Sequence, residues 1–216
     1  MTDTLRIGIA INVMRARLTV VGFNIAIVSF QISELLNMKG GISVPGLTHT
    51  VHFRADMALF LSLACSLLAI VAFLNSCAID NTGTCDHWSF IVGDLLMYFG
   101  LANAVTGFFA PLNEQFLLAI QLAPSQEIQI TIFRKAIYYL GATAWFVTLY
   151  IGPLVTLIRS PFPKTINRYL SLSYILMLAA ITWLNYQAFV FEAFNTQTKG
   201  LAIPHYLSEL FQPIVW

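Results

Sequence analysis

His49 and His52 stand three residues apart with Asp56 four further on, and these are the side-chain types that hold a divalent cation. Zinc needs three or four such ligands held together, and the only help available on the same side of the chain's course would be Glu114, Glu127, His205 and Glu209. A lone HxxH pair outside a helix permits a site without specifying one. A second set consists of acids and amides inside or bordering apolar runs. Asn24, Gln31 and Glu34 share one helical face through steps of seven and three, Asn185 and Glu192 lie seven apart, and Asp94 falls about two turns inside a helix. Charge at bilayer depth is expensive, so such groups face a helix bundle's interior, water or the interface. Glu34, Asp56 and Glu192 reach one face of a bilayer together, where a carboxylate ring would concentrate cations, and Asn24, Gln31 and Asn185 would continue a polar lining inward. The competing expectation places the acids in wet headgroups or against Arg54 and Arg134, and Asp94 in a hydrogen bond with Tyr98 or a neighbouring hydroxyl.

These residues need elements to hold them, and composition says which kind. Of 216 residues 58% are hydrophobic and 10% charged, with net charge +1 and a mean hydropathy of +0.76, whereas soluble domains carry about 25% charged residues. Disorder and nucleic-acid binding are excluded by the same figures. The gaps between charges predict the spans. Met57–Ile79, Ala136–Ile158 and Tyr169–Phe191 are each 23 residues without a formal charge, against the roughly 20 that cross a bilayer. Adding 18–36, broken only by Glu34, and 88–110, which ends before Pro111, gives an all-α bundle of five transmembrane helices in one domain over 1–216. The first 17 residues predict a separate amphipathic helix lying at the interface, and 112–133 a short interfacial or re-entrant one. Gly40, Gly41, Pro45 and Gly46 break the chain after the first span, and Ser160-Pro161-Phe162-Pro163 after the fourth.

Lys and Arg divide six against five between the two sides, which leaves orientation open, with Arg15 and Arg17 favouring an inside N-terminus. Cys77 and Cys85 argue the opposite way. They flank an acidic turn without Lys or Arg, suited to an outer loop closed by a disulfide, or else they are two free thiols. Cys65 reads as a small packing residue. Gly100, Asn103, Ala104 and Gly107, with Ser62 and Ser66, predict close helix seams within a chain or between protomers. Gly152-Pro153 predicts a kink.

The chain has no GxSxG, HExxH, CxxC, GxxxxGK[ST] or GxGxxG, and no mid-span histidine pair for haem. These absences leave an intramembrane enzyme open but unmotivated, and no cofactor is expected. The leading expectation is an oligomeric, cation-favouring channel or transporter, with lipid and either identical copies or other membrane subunits as partners and no nucleic acid. The alternative is a non-catalytic accessory or scaffold subunit; a metal-dependent membrane enzyme ranks third.

Overall fold

The computed structural model describes residues 2–38, 41–43, 46, 48, 50–79, 87–195 and 206–216, with backbone alone at 2–10, 195 and 215. Helix α1 runs from Thr2 to Leu35 without a break. Nothing in its first 22 residues stops a helix, since they contain two glycines and no proline. The separate surface helix expected before residue 18 is therefore the first part of one long rod. Met14, Val21, Asn24, Val28, Gln31 and Leu35 are buried along it, an alternation of threes and fours that marks a single packed stripe.

After α1 the chain turns through a two-residue ladder, β1 (Ile42–Ser43) against β2 (Thr50–Val51), with Ile42 opposite Val51. Gly41 is required here. Its φ is +74°, and a Cβ would sit 2.7 Å from the Val51 carbonyl oxygen. Helix α2 (Phe53–Ile79) then packs antiparallel along α3 (Ser89–Leu122). The seam is a series of glycines seven apart. Gly93 lies on Phe73, Gly100 on Ser62 and Ser66, and Gly107 on Leu59, each so close that an added Cβ would come within 2.5–2.8 Å of a side-chain atom. The small-residue stripe therefore joins two helices of the same chain, as such stripes do by letting backbones approach.

Helix α3 does not end at Ala110. Pro111 is buried inside it, and the helix continues to Leu122. Proline forfeits one backbone bond, to the Gly107 carbonyl, whereas unwinding there would expose a whole turn of buried polar groups. The short helix expected over 112–133 is thus replaced by the end of α3, a tight turn through Pro124–Gln126, and the start of α4 (Glu127–Phe146). At the expected kink before Gly152-Pro153 the helix passes through a π-helical turn over Val147–Ile151 and continues as α5 (Gly152–Ile158). The wider turn absorbs the hydrogen bond that Pro153 cannot donate. Gly152 meets the Tyr98 ring, where a Cβ would lie 2.5 Å from it. Trp145, just before the π-helical turn, is buried in the core.

Helix α6 (Lys164–Asn195) returns parallel to α3, with Leu170 beside Ile91 and Leu95 and Tyr174 stacked on Phe99 at 4.6 Å. The C-terminal segment, Tyr206–Val215, forms 3-10 turns kinked at Phe211 and folds back against the bundle instead of trailing from it. Tyr150 Oη donates to the Leu210 carbonyl, and Trp216 stacks over Phe109. Among the described residues five helical stretches are long and apolar enough to cross a membrane: Ile11–Leu35, Phe53–Ile79, Ser89–Leu122, Pro124–Ile158 and Lys164–Phe194. Large apolar side chains such as Phe23, Phe30, Leu67, Leu140, Ile175 and Leu176 are exposed on their outer faces.

Candidate functional site: a polar row through the bundle core

Beyond Ser89 in its first turn, helix α3 carries four more buried polar side chains, Asp94, Asn103, Thr106 and Asn113. The first and last are separated by about 28 Å along the axis at 1.5 Å per residue, close to the roughly 30 Å of a hydrocarbon core. Each meets a polar partner from a different part of the chain.

At one end Asp94, 1% exposed, takes a two-pronged contact from Arg17 of α1. Arg17 Nε donates to one carboxylate oxygen and Nη2 to the other, the latter at 2.9 Å. The guanidinium also lies over the Phe90 ring at 4.7 Å. Arg17, and not Tyr98 or a hydroxyl, is the partner that Asp94 required. Reading backward by the same step of seven that links Gln31 to Asn24 reaches Arg17, so the signal was present in the spacing of α1. Placing Arg17 in a separate interfacial helix hid it.

Deeper in, Asn24 Nδ2 donates to Ser66 Oγ at 2.8 Å and to Ser62 Oγ at 3.0 Å, and Ser62 Oγ donates to the Gly100 carbonyl at 2.6 Å. The glycine seam makes this possible, because a side chain at residue 100 would occupy the space of Ser66 Oγ. Next, Asn103 Nδ2 donates to the Phe99 carbonyl, and Asn185 Nδ2 of α6 donates to Asn103 Oδ1 at 3.1 Å. Thr106 Oγ1 then donates to Gln212 Oε1 of the C-terminal segment at 2.6 Å. Asn113 Oδ1 accepts from Arg134 Nε of α4 at 2.8 Å.

At the second end Arg54, on the first turn of α2, points Nη2 at Glu209 Oε1, 3.2 Å away, and lies over Phe189 at 4.7 Å. Glu192 Oε2 accepts from the Arg54 backbone amide at 2.9 Å. It thereby satisfies one of the donors that the start of a helix leaves open, with its negative charge at the positive end of the dipole. His52, Arg54 and Glu114 all lie near enough to act on Glu192 electrostatically. His52 is buried, and its Nε2 meets no hydrogen-bond partner among the described residues. The same holds for Asn185 Oδ1 and Glu209 Oε2, so the half of the row that runs to the Arg54 end presents acceptor lone pairs.

The other expected site residues are dispersed. Gln31 is buried on α1, one turn beyond Val28. Glu34 is exposed and borders a surface groove with Asn37, Gln115 and Leu118; a step of four from Gln31 leads to buried Leu35, and a step of three leads outward. Asp56 is half-buried in the first turn of α2. The acidic ring thus contributes only Glu192 to the row. His49, His205 and Cys85 lie outside the described residues; Cys77 is exposed near the end of α2, and Cys65 is buried in the core. Among the described residues no three His, Cys, Asp or Glu side chains gather as a metal would need. Gln212 escaped the sequence reading and Glu209 entered it only as a possible metal ligand, although the two stand three apart in a largely apolar run from Leu207 to Trp216.

Burial pushes the Glu209 carboxyl above its ordinary range, and the Arg54 charge only partly draws it back. A carboxyl raised on folding adds stability that is complete below its unfolded value, about 4.3, and lost as pH rises through the folded value. Docking of the C-terminal segment should therefore tighten on mild acidification, as followed by protease resistance of residues 206–216. Glu209→Gln should flatten that pH dependence; an unchanged dependence would assign it to another group.

No family model, curated protein or solved structure matches the chain.

Proposed function

We propose that the chain is a multi-pass membrane protein that moves small cations or protons along the row on α3, by way of a form closed at both ends. The observation that carries this reading is that four buried polar positions on one helix extend over a bilayer's thickness, with an arginine–carboxylate pair toward either end, Arg17–Asp94 and Arg54–Glu209. Isolated helix packing needs no such continuity, because one or two interhelical hydrogen bonds suffice to register a pair. The acceptor atoms on the half of the row that runs to the Arg54 end, Asn185 Oδ1 and Glu209 Oε2, suit a cation or a hydrated proton. Ion pairs at the ends are the elements that would open, since each can be exchanged for water contacts when its helix moves.

Purified protein in liposomes should dissipate an imposed proton or potassium gradient. Asn185→Leu, which places an apolar group midway, should slow this about tenfold or more, the effect of a barrier raised by about 1.4 kcal/mol. A second reading, the non-catalytic subunit of a larger assembly, is supported by the mutual hydrogen bonding of Asn24 with Ser62 and Ser66 and of Asn103 with Asn185, which holds helices together regardless of transport. Absence of flux together with co-purification of other subunits in fixed ratio would select it.

A further inference from the structure

The segment over residues 206–216 touches α3, α4 and α6, and each helix holds it through a side chain. Gln212 meets Thr106 of α3, and Trp216 stacks on Phe109 of the same helix at 6.3 Å. Gly141 of α4 gives the indole its seat, because a Cβ there would come within 2.9 Å of it. Tyr206 Oη donates to the carbonyl of Ala179 at 3.1 Å, midway along the Lys164–Phe194 span of α6. The segment therefore lies at the depth of the spans, although its backbone is 3-10 and departs from helix altogether at Phe211. Irregular backbone at that depth is tolerated only where it is buried in protein or lines a water-filled cavity. Its side chains are sorted accordingly. Leu207, Phe211 and Ile214 are exposed, whereas Glu209 and Gln212 are buried against Arg54 and Thr106. With apolar groups outward and an acid and an amide inward, the segment forms one wall of the polar row.

The attachment of this wall is incomplete. Among the described residues no main-chain to main-chain hydrogen bond joins it to the helices. Two of its own buried polar atoms, Glu209 Oε2 and Trp216 Nε1, meet no hydrogen-bond partner among the described residues. A buried polar atom without a partner is costly, and that cost is recovered where water reaches it. Side-chain attachment and two unsatisfied atoms make the segment the part of the molecule that separates at least cost.

We infer that residues 206–216 are a displaceable cover, which closes the row at Thr106 and Arg54 when docked and admits water there when released. The control of flux that follows rests on the transport reading; the control of access does not.

Both are tested on the full chain in liposomes, with the native cysteines replaced. Thr106→Cys is treated with a small, charged thiol reagent, alone and combined with Trp216→Ala, which removes the stack on Phe109. Labelling should quicken about tenfold in the combination, one aromatic contact's worth of equilibrium, while the helical signal stays unchanged. Equal labelling rates would overturn the inference. A reversible lock avoids any loosened variant: Phe109→Cys with Trp216→Cys, bridged by a short cleavable bis-thiol reagent, should pass ions about tenfold more slowly bridged than cleaved. Flux that ignores the bridge defeats the cover. Faster labelling at 106 with no flux in either state of the bridge supports the cover and defeats the transport reading instead.

Discussion

Replacing Arg17 with alanine is expected to destabilise the bundle by about 3 kcal/mol, the lower end of the 3–5 kcal/mol seen when a buried ion pair loses one partner. The lower end applies because the Arg17 side chain keeps 29% of its exposure and part of its hydration, while Asp94 keeps 2%. Without Arg17, Asp94 faces Phe90 and the core with no cation, and it must stay charged and unpaired or take up a proton. Arg17→Lys should fall between the two, because an ammonium carries the charge without the planar fork that engages both carboxylate oxygens. The double change Arg17→Leu with Asp94→Leu should recover most of the loss, since two apolar side chains in place of a buried pair are often neutral. Thermal unfolding in detergent, monitored by helical circular dichroism, measures all four. Equal midpoints for the single and unaltered proteins would show that the pair holds nothing together.

Arg54→Leu is expected to have an effect of similar size, about 3–5 kcal/mol, but confined to one part of the molecule. Arg54 holds Glu209 and covers the Phe189 ring, and Glu209 is 1% exposed with no second ion-pair partner among the described residues. Loss of the guanidinium leaves a carboxylate deep in the core on a segment otherwise tied by Gln212, Tyr150 and Trp216. The segment should therefore come away while α1–α6 stay folded. Limited proteolysis would show cleavage within 206–216 at temperatures where the helical signal is unchanged. Simultaneous loss of both signals would instead make the segment part of one cooperative unit with the helices.

The contrast between these two pairs shows what the sequence disclosed. Helix positions were legible from the spacing of charges, because a run of more than 20 apolar residues has few other fates. Ends were harder to read. The structure carries α3 past Pro111 and α1 back to Thr2, because a lone proline or a few arginines weigh less than keeping a backbone ladder intact. Among site residues, Asn24, Gln31 and Asn185 were found by periodicity alone, and all three are buried. Glu34 was assigned to the same face by a step of three, yet the packed stripe continues through Leu35 by a step of four. The pairing roles of Arg17 and Glu209 were missed for a common reason: a charge is readily placed at the interface or in a tail until its partner is known. Asp94 and Arg17 are 77 positions apart and Arg54 and Glu209 are 155 apart, so no local pattern links either pair. The glycines at 100 and 107 marked a close seam, but only the Ser66 and Leu59 side chains opposite them, with Phe73 opposite Gly93, show that the seam lies within one chain.

The most direct test of a water-accessible row is the reaction of single cysteines at positions 106 and 185 with a small, charged, membrane-impermeant thiol reagent. It would be carried out in proteoliposomes after replacement of the native cysteines, with exposed Leu176 as the lipid-facing control. The predicted result is modification at 106 and 185, faster when Asp94→Asn loosens the Arg17 contact, and none at 176. Positions 106 and 185 as inert as 176, with and without Asp94→Asn, would contradict it and leave the polar residues as dry contacts between helices.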